Sequence, residues 1–409
     1  MLTRRRFLLT LPAFAATQHL VPHLAAAQAL AFPHLRKKPP APTPPSLIYF
    51  GTDTTGGVAK GIYLSRFDAV AGHLTQPQLA AATARPSYLA LSSPIAGQRR
   101  LYAVNAINDP AATVSSFLMD PATGALKPIN QVSSAGAGPC YISLDAGGHA
   151  AFVANYFGST IATYRILPNG ALSEPVERLD YKDRKFGTRG PNAHQDIPHP
   201  HSVHLSPDNR FLIVNDLGSD EISVFTVDPE TARLGTPALF TNDRPGSGPR
   251  HIAFHPNGRW AYSINELDST IDLFLWTTTS SRTAPQGLLV KAGPGVKTIA
   301  PSFPVAKNAA SEVEVSSDGR FLYASNRGED SLVVFTIATA DGSLTELERI
   351  SSGGKTPRHF KLDPTGHWLL CGNQDSATIT VFRRDPATGQ IGGPTQTLAL
   401  DSPMFLLFA

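Results

Sequence analysis

Three histidines, His199, His201 and His204, fall within the stretch 196-DIPHPHSVHLSPDNRFLIVND-216. Farther along, an Arg-His pair occurs twice, as Arg250-His251 and Arg358-His359, and single charged residues stand at Glu266, Glu312 and Arg327. Imidazole titrates near neutrality, so it can take a proton from water or, as a neutral ring, ligate a metal. Guanidinium keeps its charge and presents a planar fork that matches a carboxylate or phosphate. Together these types suit acid–base chemistry on an anionic or hydroxyl-rich substrate, although the histidines could also be metal ligands or packing residues. In an extended segment His199 and His201 share one face and His204 takes the other. Two imidazoles with Glu266 or Asp216 could hold a divalent ion and leave positions open for water. Arginines aimed at the same point would repel it, so the expectation is a site with no metal and no cofactor.

Residues this far apart act together only if the chain repeats and closes on itself. Charged residues make up 16% of the sequence, and 33 glycines and 35 prolines punctuate it. Helical periodicity is nearly absent. Instead one unit recurs: a Pro-containing approach, a short apolar strand, a polar turn, a second strand ending in Asn, and a third strand. It reads 249-PRHIAFHPNGRWAYSINELDSTIDLFLW-276, 200-PHSVHLSPDNRFLIVNDLGSDEISVFTV-227, 311-SEVEVSSDGRFLYASNRGEDSLVVFTI-337 and 357-PRHFKLDPTGHWLLCGNQDSATITVFRR-384, with weaker copies at 139–166 and 86–119. The strand-end asparagines are Asn105, Asn155, Asn215, Asn265, Asn326 and Asn373. A period of roughly fifty to sixty residues with several short strands is the signature of propeller blades. A two-domain β-sandwich would not give such even spacing. Six copies leave two pieces over, 47-LIYFGTDTTGGVAKGIYLSRFD-68 and 403-PMFLLFA-409. An open edge strand invites aggregation, so the two pieces are expected to combine. The predicted fold is all-β, a seven-bladed β-propeller over 46–409 closed by N- and C-terminal strands in one blade.

In a propeller the heads of the innermost strands ring one end of the central channel. That position gathers His199 and His201, Arg250 and His251, Glu312, and Arg358 and His359. The ends of the second strands add Asn215-Asp216, Asn265-Glu266 and Asn326-Arg327. The first two copies carry Ser87-Tyr88 and Cys140-Tyr141 instead, so charge is concentrated on the later blades. Any one of these could be a rim ion pair between blades. The set asks for more than structure.

These residues carry a resemblance. Through 198-PHPHSV-203, 248-GPRHIAFHPNG-258, 264-INELDST-270, 311-SEVEVSSDGRFLYASNRG-328 and 357-PRHFKLDPTG-366 the chain is similar to the seven-bladed propeller lactonases, over about residues 46–409. That family includes bacterial 6-phosphogluconolactonases and fungal carboxymuconate-cyclising enzymes. The resemblance implies His201 (or His199), Arg250, Glu266 and Arg327 as the functional set, and Glu312 matches a family glutamate. It implies hydrolysis of a sugar-type lactone at the channel mouth, in carbohydrate metabolism. His201 would be the base, since histidine titrates in the useful range. Glu266 would orient it or bind substrate hydroxyls, and Arg250 and Arg327 would hold the anion or the developing oxyanion. His199, Glu312, Arg358 and Asn265 are expected as substrate contacts. No G-x-S-x-G nucleophile elbow is present, which argues against an acyl-enzyme route. The sequence departs from the family at 105-NAIND-109, where Ala106 replaces a carboxylate, and in its export signal. A muconate-type lactonising enzyme and a non-catalytic exported scaffold are the alternatives.

Thr3-Arg4-Arg5-Arg6-Phe7-Leu8, an apolar run to Ala16 and small residues near Ala25–Ala27 predict a twin-arginine export signal over 1–29, hence a periplasmic or extracellular protein. A Pro-rich linker is expected over 30–45. No segment approaches the roughly 18 continuous apolar residues of a membrane span. The formal charge of +3, with no basic stripe, excludes a nucleic-acid partner. The partner is expected to be a small-molecule lactone. Cys140 and Cys371 have no metal-type spacing and are expected to be separate thiols.

Overall fold

The apolar runs that end in asparagine are the second strands of seven antiparallel sheets of four or five strands. A computed structural model describes residues 45–94, 97–183, 192–241, 244–279 and 286–409. The export signal expected over 1–29 and all but the last residue of the linker lie outside these residues. Strands Phe211–Asp216, Trp260–Asn265 and Trp368–Asn373 are buried along their whole length. Their sheets pack against neighbours on both faces, which is why they read as continuous apolar runs rather than alternating ones. Each unit has a fourth, outer strand that the sequence reading did not separate. In Leu126–Ser133 and Leu344–Ser351 most positions face water or are half-buried, so no apolar run marks them.

Seven hydrophobic clusters hold the ring together, one at each interface between neighbouring sheets. Trp260, Tyr262 and Ile264 meet Leu322, Ala324 and Val333 at one. Phe321 and Tyr323 meet Phe360 and Leu369 at the next. The ring closes as expected. Pro403–Phe408 pairs antiparallel with Ser46–Thr52, through Ile48↔Phe408, Phe50↔Leu406 and Gly51↔Phe405. The C-terminal strand is thus the innermost of the closing blade, and Gly61–Asp68 and Gln78–Ala82 lie outside Ser46–Thr52. Its six companions, starting at Pro86, are blades one to six.

Two repeated details place the functional residues. First, all six strand-end asparagines are buried. The Asn155 amide donates to Ser134 O at 2.8 Å and Thr160 Oγ1 at 3.0 Å. Asn326 does the same with Thr298 O at 2.6 Å and Ser331 Oγ at 3.1 Å. Such an asparagine ties the end of its strand to the start of the next, which explains its recurrence. Second, pairing between the first and second strands slips at the head of every first strand. Ser87, Cys140, His201, Arg250 and Arg358 each stand as the extra residue, as do Ser311-Glu312 in blade five and Met404 in the closing blade. A bulge of this kind re-aims a side chain and resets the phase of alternation beyond it.

Deleting 403–409 removes the innermost strand of the closing blade and uncovers Ile48 and Phe50, which are fully buried. The truncated protein is expected to be poorly soluble and to melt well below the parent. An unchanged melting temperature would show that closure does not depend on this strand.

Candidate active site

The bulges turn seven side chains toward one end of the channel: Ser87, Cys140, His201, Arg250, Ser311, Arg358 and Met404. The residues that follow the second strands form a second ring of Asp53, Ala106, Tyr156, Asp216, Glu266, Arg327 and Gln374. Members of both rings, with Arg85, Asn108, Phe157 and His194, line a cavity of about 330 Å³. That is the low end of the range, roughly 300–1,000 Å³, in which small-molecule sites fall.

Glu266 is the electrostatic centre. Its Oε2 accepts from Arg327 Nη2 at 2.7 Å and Arg250 Nε at 3.0 Å, and lies 3.9 Å from His201 Nε2. Burial pushes its pKa up, but Arg327 and Arg250 overcome this and hold it at about 2. An ionised carboxylate so firmly held is a poor base. His201 differs. It is 6% exposed, and its Nδ1 has no hydrogen-bond partner among the described residues. Burial, followed by Arg250, pushes its pKa well below the usual histidine value, so the ring is neutral.

Arg250 and Arg327, expected to hold the substrate anion, are instead both engaged by Glu266. Arg250 also donates from Nη1 to Ser311 O at 2.6 Å and sits 3.1 Å from His251 Nε2. The cation left over is Arg358. Its guanidinium makes no hydrogen bond or ion pair with another described residue, and it lines the cavity. Burial, then Arg327 and Arg250, lower its pKa to about 9, so it keeps its charge at neutral pH. Counting the charges was possible from the sequence; pairing them needed the geometry.

Three residues expected as substrate contacts do not line this cavity. His199 has Nδ1 2.8 Å from Tyr156 O and Nε2 3.2 Å from Asp196, and its ring stacks on Tyr156 with centroids 4.2 Å apart. Asn265 spends its amide on Thr270 Oγ1 at 2.9 Å and Asp272 at 2.8 Å, the strand-tying role described above. Glu312 lies one layer deeper, with Oε2 3.0 Å from His251 Nδ1 and 3.3 Å from His359 Nε2. It lines a separate cavity of about 380 Å³ that also takes Glu314 and Lys361.

His204 was expected to point away from His201. The bulge at His201 resets the alternation, so both face the channel at different depths. His204 Nδ1 meets Tyr141 Oη at 3.1 Å, in a layer with Tyr88, His251, Glu312, His359 and Phe405 that fills the channel beneath the mouth. Burial lowers the pKa of His204 to about 4 and that of His359 to about 3, so this layer stays uncharged on its histidines. Among the described residues, no three His, Cys, Asp or Glu side chains are placed to share a metal ion.

Both cysteines are free. Cys371 is in the core, whereas Cys140 lines the mouth, its thiol 3.2 Å from His201 O and pushed by burial to about 12. Sequence reasoning missed Tyr156, Phe157, Met404, Asn108, His194 and Arg85. Aligning the residue after each strand-end asparagine would have found Tyr156, and the head of the last strand would have found Met404. Phe157 and His194 lie outside the strands and gave no repeat signal.

The chain matches the family described as lactonase, seven-bladed β-propeller, over residues 47–408. It is 30% identical over 361 residues to a 6-phosphogluconolactonase of Bacillus subtilis, spanning 88% of this chain and 97% of that one. A solved structure of a putative 6-phosphogluconolactonase from Bacteroides fragilis superposes with a TM-score of 0.80 at 32% identity, covering 91% of this chain and 100% of its own. That of a periplasmic gluconolactonase from Pseudomonas aeruginosa gives 0.76 at 32% identity, covering 89% and 98%. With sequence, sheet topology and channel all in agreement, the chain belongs to the lactonase family of seven-bladed β-propellers.

Proposed function

We propose that the protein hydrolyses an anionic sugar-type lactone at this mouth, in carbohydrate metabolism and after export to the periplasm. The observation that carries the reading is the pairing of a neutral, unbonded imidazole with an uncompensated guanidinium in one cavity. His201 can take a proton and Arg358 can take an anion, and neither has a structural partner that explains it. The names of the relatives support a lactone as substrate, and the periplasmic gluconolactonase among them accords with the twin-arginine start.

The chemistry follows from the placement. His201 accepts a proton from water as the water oxygen bonds to the lactone carbonyl carbon. The ring C–O bond then breaks, and the proton passes to the departing ring oxygen, giving a hydroxy acid. Glu266, 3.9 Å away, favours the imidazolium as it forms. The Arg327 guanidinium borders the same cavity and can donate to the oxygen that gains charge. Arg358 binds the anionic group and orients the ring.

Replacing His201 by Ala should lower kcat by about 10²- to 10⁴-fold, the usual worth of a positioned proton acceptor. The assay is hydrolysis of a lactone panel, counted above the spontaneous rate. Turnover by the variant equal to the parent would place the base elsewhere. The pH profile is a second check. A lowered histidine pKa means that the neutral form persists to lower pH, so kcat/KM should stay level as pH falls through 6.5 and drop only below it. An inflection at the ordinary histidine value would contradict this. Arg358→Gln separates binding from structure. It should raise KM for anionic lactones at least about tenfold while leaving the melting temperature unchanged or higher, because an unpaired buried charge is costly. A lower melting temperature with KM unaltered would make Arg358 a structural residue.

A further inference from the structure

The cavity has two unlike halves. His201, Glu266, Arg327 and Arg358 form one; Ala106, Gly138, Cys140, Phe157 and Met404 form the other. Ala106 occupies the place in its blade that Glu266 and Arg327 occupy in theirs, so here the second ring carries a methyl group rather than a charge. Phe157 leaves 49% of its surface exposed, although it is a large aromatic ring on a cavity wall. Its position is built. Gly138 has φ +60°, and a Cβ added there would lie 2.4 Å from the Phe157 ring, so both backbone and space require glycine. Tyr156 meets Phe157 edge-on at 5.0 Å and is itself stacked on His199.

Polar groups on this side are already occupied. Ser87 Oγ lies 3.4 Å from Pro139 O, and the Cys140 thiol is turned onto His201 O at 3.2 Å. A substrate hydroxyl pressed against this wall would lose water and find only Asn108 in exchange. Burying a polar group without a partner is unfavourable, whereas covering an exposed aromatic ring with carbon is favourable. From these features we infer that the preferred lactone carries an alkyl or aryl group where it faces Phe157 and Met404, opposite the anionic group on Arg358. This specificity rests on the lactonase reading above and narrows it. A fully hydroxylated lactone is then the poorer substrate.

Two measurements on the full-length protein test this. One compares kcat/KM for two δ-lactones with the same ring carboxylate, one bearing a phenyl group and one not. The other compares calorimetric binding of 3-phenylpropanoate and acetate, which needs no turnover. The aryl compound should be favoured at least about tenfold in both. Phe157→Ala should bring each ratio close to one, and Phe157→Leu, which keeps an apolar wall, should retain most of it. Equal values for the paired compounds in the parent protein, or ratios that Phe157→Ala leaves unchanged, would overturn the inference. Lactone turnover without an aryl preference removes the inference and leaves the lactonase reading standing. The binding preference without turnover of any lactone removes that reading and leaves the apolar subsite.

Discussion

The pairing of Ser46–Thr52 with Pro403–Phe408 is the constraint on which the molecule depends. A propeller blade buries both faces only if it has neighbours on both sides, and a ring achieves that for every blade at once. Without the final strand, two of the seven apolar interfaces lose a wall, because Leu406 belongs to one cluster and Phe405 to the next. Closure also sets the channel. Side chains from residues as distant as Ser87 and Met404 line one cavity because the ends of the chain are joined there.

Within that ring, the bulge at the head of each inner strand converts a structural repeat into a site. Every blade offers one extra residue at the same height, and the sequence fills those seven places differently. Blades three, four and six supply His201, Arg250 and Arg358; the others supply small or apolar side chains. Glu266 then gathers two of the three nearby guanidinium groups and leaves the third without a partner. Stability is conceded at that point. A buried cation without a counter-ion and a buried imidazole nitrogen without a hydrogen bond both disfavour the empty protein. Such concessions are usual where a ligand completes the interactions.

Much of this was legible in the sequence, and the failures have identifiable causes. The repeat was visible because strands such as Trp260–Asn265 are buried on both faces and read as unbroken apolar runs ending in one amide. The outer strands were not, since they carry no such run. His201, Arg250, Glu266, Arg327 and Arg358 were identified by residue type at equivalent places in the repeat, and the fold does bring them together. Asn265 was misassigned even though its recurrence in six blades pointed to a common structural duty. His204 was misdirected because strict alternation holds only for a strand without a bulge. Glu312 was placed one layer too high for the same reason: blade five slips across both Ser311 and Glu312. Phe157 lies between strands, where periodicity carries no information.

The layer of Tyr88, Tyr141, His204, His251, Glu312, His359 and Phe405 separates two cavities, so the channel has two ends and the account assigns the chemistry to one of them. A crystal structure with the hydroxy-acid product of a lactone that the protein hydrolyses tests that assignment most directly. The account predicts the product's carboxyl group within hydrogen-bonding distance of His201 or Arg327, and its second anionic group on Arg358. Product bound in the opposite cavity, against Glu314 and Lys361, with the mouth unfilled would contradict it.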